Sequence, residues 1–241
     1  LLLAIFAIVG GYATPLLLWV GHPNMVVLYS YVLLLGLGIL GIAHYKQWRL
    51  LNYLAFVFNY LLLFISLLDY QNSDVPLILT FLTLCFVLHS SLVYIYNIAK
   101  GEKTTLLEIG QLIVNAAIYT AIAYYLMETS YGKSYPALLS LSLALFYAAH
   151  AYLFLKHRPI DRNLIISLTA LAGFYITWTM PLVFERESLT SSWSVQALLF
   201  LWLGLKLRSN FIKNLAYLLY LLIFVRLLYF DVPRYFELSP Q

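Results

Sequence analysis

Charge is scarce in this sequence. Lys and Arg number 14 and Asp and Glu 10 in 241 residues, while 63% of the chain is hydrophobic and the mean hydropathy is +0.87. So little polar surface cannot coat a water-soluble globule of this length, and no sizeable soluble domain is expected. Cysteine is nearly absent. The single Cys85 lies inside an apolar run, which excludes an internal disulfide, a CxxC redox pair and a cysteine zinc cluster. Neither GxSxG, HExxH, a P-loop nor GxGxxG occurs, so no catalytic residue, metal or cofactor is assigned. His89 and His150 are two lone histidines and do not define a haem site. The net charge of +4 comes from basic residues in short caps between apolar runs, not from a folded basic face, and nucleic acid is excluded as a partner. Leu1 is already apolar, with no initiator Met, basic leader region or small-residue cleavage site. It does not open a signal peptide, and the native chain is expected to begin further upstream.

What the chain does contain is apolar runs. Those closed by charged or turn-rich punctuation fall near 1–20, 25–44, 50–68, 75–98, 104–127, 135–155, 163–184, 192–206 and 211–230. Most reach the ~20 residues that cross a hydrocarbon core of about 30 Å. The expected fold is an all-α polytopic transmembrane bundle of about nine spans, forming one membrane-embedded domain over 1–241. The eighth run, WSVQALLFLWLGLKL, is short and needs a snorkelling Lys206 to span.

Loop charge gives an independent check. One side of the predicted topology collects Lys46, Arg49, Lys100, Lys103, Lys156, Arg158, Arg162, Lys206, Arg208 and Lys213. The other has only Lys133, Arg186 and Arg234, beside Asp69, Asp74, Glu128, Glu185, Glu187, Asp231 and Glu237. This bias predicts residue 1 on the cytoplasmic side and Gln241 outside. The 21 tyrosines include many near span ends, such as Tyr70, Tyr94, Tyr96, Tyr131 and Tyr229, where interfacial anchoring explains them.

Polar side chains inside lipid must find partners, so candidate sites are sought there. Thr104, Glu108, Gln111, Asn115 and Tyr119 recur at helical spacing on one face of the fifth span. Glu108 is placed about one turn into the membrane, as a packing partner or a proton acceptor. His89 shares a face of the fourth span with Ser90, Tyr94 and Asn97, and antiparallel packing is expected to carry that face toward Glu108. Arg226 reads as a snorkelling anchor that reaches Asp231 or Glu185. Gly36, Gly38 and Gly41 offer a smooth face for close helix approach. In the first span the stretch GGYATP breaks the run: Pro15 cannot donate to the Gly11 carbonyl, so a bend and a free acceptor are expected around Gly10, Gly11 and Pro15. It is read as a single interrupted span with no counterpart in the other half of the chain.

Several segments carry a resemblance. GGYATPLLLWVGHPN and YSYVLLLGLGILGIAHYKQWRLLNYLAF, with GFYITWTMPLVF, SWSVQALLFLWLGLKLRSN and LAYLLYLLIFVRLLYFD late in the chain, resemble the bacterial predicted-membrane-protein family of domain of unknown function 2339. The matching positions are Gly10, Gly11, Pro15, Leu16, Leu17, Trp193 and Gly204. Where the family pattern often has Glu three residues after that Trp, this chain has Gln196. The resemblance implies a bacterial inner-membrane protein, commonly longer, and assigns no substrate. Three functions are carried forward. The first is a non-enzymatic module or subunit of a larger cell-envelope assembly, in contact with membrane lipids and other membrane proteins. The second is a transporter or flippase-like protein for a small or lipid-linked substrate. The third is a membrane enzyme on a lipid-linked substrate, with Glu108 or His89 as base.

Overall fold

The computed structural model describes residues 2–17, 24–46, 48–100, 103–132, 135–157, 161–183 and 186–233. Side chains of residues 43, 44, 69, 92–100, 157, 186 and 187 are outside that description. The sequence-based roles of Asp69, Tyr94, Tyr96, Lys100, Asn97, Lys133, Arg158, Glu185, Arg186, Glu187, Arg234 and Glu237 therefore lie outside the described residues.

The described chain is all-α. Its helices are α1 (Leu2–Leu17), α2 (Met25–Lys46), α3 (Arg49–Ser66), α4 (Val75–Lys100), α5 (Leu106–Tyr131), α6 (Tyr135–His157), α7 (Arg162–Val183), α8 (Arg186–Lys206) and α9 (Asn210–Arg226). Two 3₁₀ turns link α3 to α4, and a π turn over Leu227–Asp231 continues α9. Among the described residues eight helices are long and apolar enough to cross a membrane. The described part of α1 is 16 residues, about 24 Å at 1.5 Å per residue, shorter than the core. The protein is a multi-pass membrane bundle, divided into two compact units, Leu1–Ser130 and Tyr131–Gln241.

Two sequence expectations are corrected here. α8 has 21 residues rather than 15, because its first turns, Arg186–Ser192, are helical although polar. Hydropathy marks where lipid begins, whereas a helix is set by backbone bonds that persist into the interface. The loop placement of Glu187 fails for the same reason, since it lies in the first turn of α8. The second concerns proline. α7 runs through Pro181 as α1 runs through Pro15, so the interrupted span does have a counterpart.

Unit 1 packs α1 against α2 and α3, with α4 beside them. Stacked rings join the elements, Tyr29 on Phe81 and Phe86 on Tyr119, both at 4.4 Å between centroids. Unit 2 is built on two hairpins, α6–α7 and α8–α9, joined by α7 on α8. A Cβ on Gly204 would come within 2.9 Å of the Lys213 backbone nitrogen, so α8 and α9 approach there as only glycine permits. The turn that follows is a Schellman motif: Ser209 N donates to Gly204 O at 2.9 Å and Arg208 N to Leu205 O at 3.1 Å. Arg208 holds the left-handed position at φ 49°, and Ser209 Oγ caps α9 by accepting from Ile212 N. Arg162 at the start of α7 donates to the carbonyls of Leu207 and Arg208. A cation at this C-terminus offsets the helix dipole and shows that the α7 start and the α8–α9 turn share one end of the unit.

At the opposite end Arg226 Nε donates to Thr190 Oγ1 at 3.0 Å. Thr190 Oγ1 donates in turn to Asp231, and the guanidinium lies 5.6 Å from the Trp193 ring centroid. Arg226 is thus linked to Asp231 through Thr190, tying α9 to α8.

These contacts make the glycines unequal. Gly204→Ala is expected to lower stability by about 1–3 kcal/mol through overpacking against backbone. Gly38→Ala, where a Cβ meets nothing within 4 Å, is expected to be neutral or slightly stabilising. Thermal unfolding in detergent micelles reads both, and equal effects would refute the assignment of Gly204 to a close helix crossing.

Candidate functional site

The polar groups of unit 1 assemble into two short chains. In the first, Tyr12 OH donates to Asn59 Oδ1 at 2.6 Å, and Asn59 Nδ2 lies 2.9 Å from His89 Nε2. An amide nitrogen only donates, so Nε2 accepts and the imidazole proton resides on Nδ1. Nδ1 is buried without a hydrogen-bond partner among the described residues. The Phe56 ring meets the imidazole edge-on at 5.2 Å, so apolar and aromatic packing encloses it. Gly36 makes room: its Cβ would stand 3.0 Å from Asn59 Nδ2 and 3.6 Å from Tyr12 OH. Gly38 and Gly41 contribute no comparable approach, so the smooth glycine face reduces to one position.

In the second chain Tyr60 OH donates to Asn115 Oδ1 at 2.6 Å. Asn115 Nδ2 donates to Phe86 O at 3.0 Å and Ser90 Oγ at 2.9 Å. Asn59 and Tyr60 are neighbours on α3, as are His89 and Ser90 on α4, so the chains run side by side across α1, α3, α4 and α5. Asn115 is 0% and His89 1% exposed. Beyond them, Thr83 Oγ1 lies 3.1 Å from Tyr119 OH, and Tyr29 OH 2.9 Å from Ser66 Oγ.

The residues expected from sequence divide accordingly. Asn115 and Tyr119 enter the seam, and His89 with Ser90 meets it from α4. Glu108 does not join His89. Thr105 N donates to Glu108 Oε2 at 2.8 Å, and Glu108 N donates to Thr105 Oγ1 at 3.3 Å. This reciprocal pair is a capping box closing the start of α5. Glu108 therefore sits in the first helical turn, two turns along α5 from Asn115. Thr104 precedes the helix and is buried; Gln111 is half-buried. His150 lies beside its own helix, with Nδ1 2.7 Å from Phe146 O.

At GGYATP the helix continues through Pro15, and the Gly11 carbonyl is taken by Tyr31 OH of α2 at 2.9 Å. Thr14 Oγ1 donates to Gly10 O at 2.8 Å, and Leu35 fills the space over Gly11. In unit 2, Gln196 Nε2 of α8 donates to Gly173 O of α7 at 2.8 Å, two turns before Pro181, and to Thr177 Oγ1 at 2.6 Å. Gln196 is a neutral tie between α7 and α8, and its Oε1 is buried without a hydrogen-bond partner among the described residues.

Sequence reasoning missed Asn59, Tyr12 and Tyr60. Asn59 had a legible signal, an amide inside the apolar stretch AFVFNYLLLF. The two tyrosines had none, because their partners lie 47 and 55 residues away.

Membrane interhelical hydrogen bonds contribute roughly 0.6–1.7 kcal/mol each. Asn59→Leu severs two, and is expected to destabilise by about 1–3 kcal/mol in a denaturant titration from micelles. Gln111→Leu is expected to change stability by less than about 0.5 kcal/mol. Equal losses for the two variants would refute the seam.

The family pattern described as predicted membrane protein (DUF2339) matches residues 1–234. Searches of curated proteins and of solved structures found no significant match. The match runs over nearly the whole chain and accords with its succession of apolar helices, so this protein belongs to the DUF2339 family of predicted membrane proteins.

Proposed function

We propose that the chain is a non-enzymatic membrane module, a subunit or scaffold of a larger assembly in the bacterial cell envelope. The observation that carries this reading is the coordination of Asn115, whose oxygen and nitrogen both bond to neighbouring helices at 0% exposure. A polar path for a solute needs side chains turned to water, whereas this seam spends its polar atoms on packing. The Pro15 break supports the same reading, since its carbonyl is capped by Tyr31 and not offered to a ligand. The apolar spans of α8 and α9 are 28% and 22% buried, against 44% for those of α3 and α4. This leaves apolar surface for lipids and for other membrane proteins.

The same reading places the basic ends at the cytoplasmic face of the inner membrane and Gln241 outside. Support comes from Arg49, Lys103 and the α5 start in unit 1 and from Arg162, Lys206 and Arg208 in unit 2, set against Asp74 and Asp231 at the opposite ends of their helices.

Single-cysteine variants in a Cys85→Ala background test both points with a water-soluble, impermeant thiol reagent. Cysteines at Gly11 and Asn115 are expected to stay unlabelled in intact and permeabilised cells. A cysteine at Gln71 is expected to label in intact cells, and one at Lys103 only after permeabilisation. Labelling at both Gly11 and Asn115 would replace the packed module with a wet pathway. Exchange of the Gln71 and Lys103 patterns would reverse the topology. Mild extraction is expected to recover a stoichiometric protein partner, and a homogeneous monomer would contradict the subunit role.

A further inference from the structure

A cavity of about 500 Å³ lies among α6, α7 and α8 within unit 2, in the size range of ligand sites. Its wall follows α8 from Ser192 to Lys206, 14 residues or about 21 Å of helix. Tyr152, Leu155, Val195 and Leu199 line it and are also exposed at the protein surface, so it opens sideways between α6 and α8 at the level of the apolar spans.

The lining offers a ligand almost nothing polar. Thr169 Oγ1 donates to Ile165 O at 2.8 Å and Ser192 Oγ to Ser188 O at 2.8 Å, so both hydroxyl protons are committed to their own helix. Gln196 has its Nε2 held by α7, and its Oε1 has no accessible surface. The exception stands at one end. Lys206 is exposed, its ammonium lies 4.7 Å from the Trp202 ring centroid, and it makes no further ionic or hydrogen-bonded contact among the described residues. The Leu207 and Arg208 carbonyls of the turn after α8, which would otherwise draw a lysine, are occupied by Arg162. Asp161, the acidic residue at this end, caps α7 by accepting from Leu164 N.

We propose that this cavity is the site of an anionic lipid, one hydrocarbon chain lying along α8 and the headgroup phosphate at Lys206. The sideways opening and the nearly all-apolar lining select a hydrocarbon chain, the solvent at the level of the apolar spans. Charge selects the headgroup, because the open end presents a cation without a counter-ion among the described residues. The lipid is a resident, which makes this assignment independent of the proposed module function.

The test uses the full chain reconstituted in vesicles of equal parts phosphatidylglycerol and phosphatidylcholine. Lipid retained through detergent extraction is then counted by native mass spectrometry. The unmodified protein is expected to retain one phosphatidylglycerol. Ala151→Trp, which fills the cavity, is expected to lose it. Lys206→Gln is expected to keep one lipid but lose about fivefold in preference for the anionic headgroup, as for one lysine near a membrane surface. Lys156→Gln, a basic residue on the neighbouring helix end, serves as control and is expected to leave the preference unchanged. Retention of both lipids in their bulk ratio by the unmodified protein would overturn the headgroup assignment, as would an equal effect of the two lysine variants. Retention by a folded Ala151→Trp would overturn the cavity as the site. Lys206→Gln leaves the helix packing intact and decides the matter even if the tryptophan variant does not fold.

Discussion

Hydrocarbon supplies no hydrogen-bond partners, and in this protein that constraint governs where each buried polar side chain goes. An unsatisfied amide in the membrane costs more than the bond it makes contributes, so the amides of Asn59 and Asn115 pin their helices to one arrangement. Asn59 takes the Tyr12 hydroxyl and offers its nitrogen to His89; Asn115 takes Tyr60 and offers its nitrogen to α4. Four helices that lipid would solvate equally well apart are thereby given a register. Dispersion and ring stacking between Tyr29 and Phe81 and between Phe86 and Tyr119 fill the space around these bonds.

The same rule explains how Pro15 is accommodated. It removes one rung of the α1 ladder, and the hydroxyl of Tyr31 on α2 donates to the Gly11 carbonyl left behind. Proline at such a place does not open a gap; it creates a demand that fixes the neighbour. In unit 2 Gln196 of α8 ties α7 through Gly173 O and Thr177 Oγ1. An ionised glutamate at 196 could not donate as this amide does. On the proposed reading, the module is held by neutral bonds where a charge would call for water.

Legibility followed the range of the interaction. Apolar run length is a local property, and it located the helices to within a few residues, failing at α8 because an interfacial turn rich in Ser and Thr is helical without being hydrophobic. The helical spacing of Glu108, Asn115 and Tyr119 identified a face, also a local property. It could not identify partners, so Glu108 was matched with His89 when its own Thr105 three residues away held it. Tyr12 and Tyr60 were invisible as site residues, since only the fold brings them to amides some fifty residues distant. The cavity beside α8 was hidden for a related reason: Ala148, Ala151 and Ala172 are ordinary in an apolar helix, and only packing leaves the space above them empty.

The central claim is that the seam in unit 1 is dry and fixed, with Asn59 donating to His89. Nitrogen-15 solid-state NMR of the protein in lipid bilayers observes this directly. The predicted result is one His89 tautomer, with Nδ1 protonated, Nε2 accepting, and an Nδ1 proton that survives prolonged exposure to heavy water. Protonation at Nε2, or rapid exchange of the Nδ1 proton, would contradict the account.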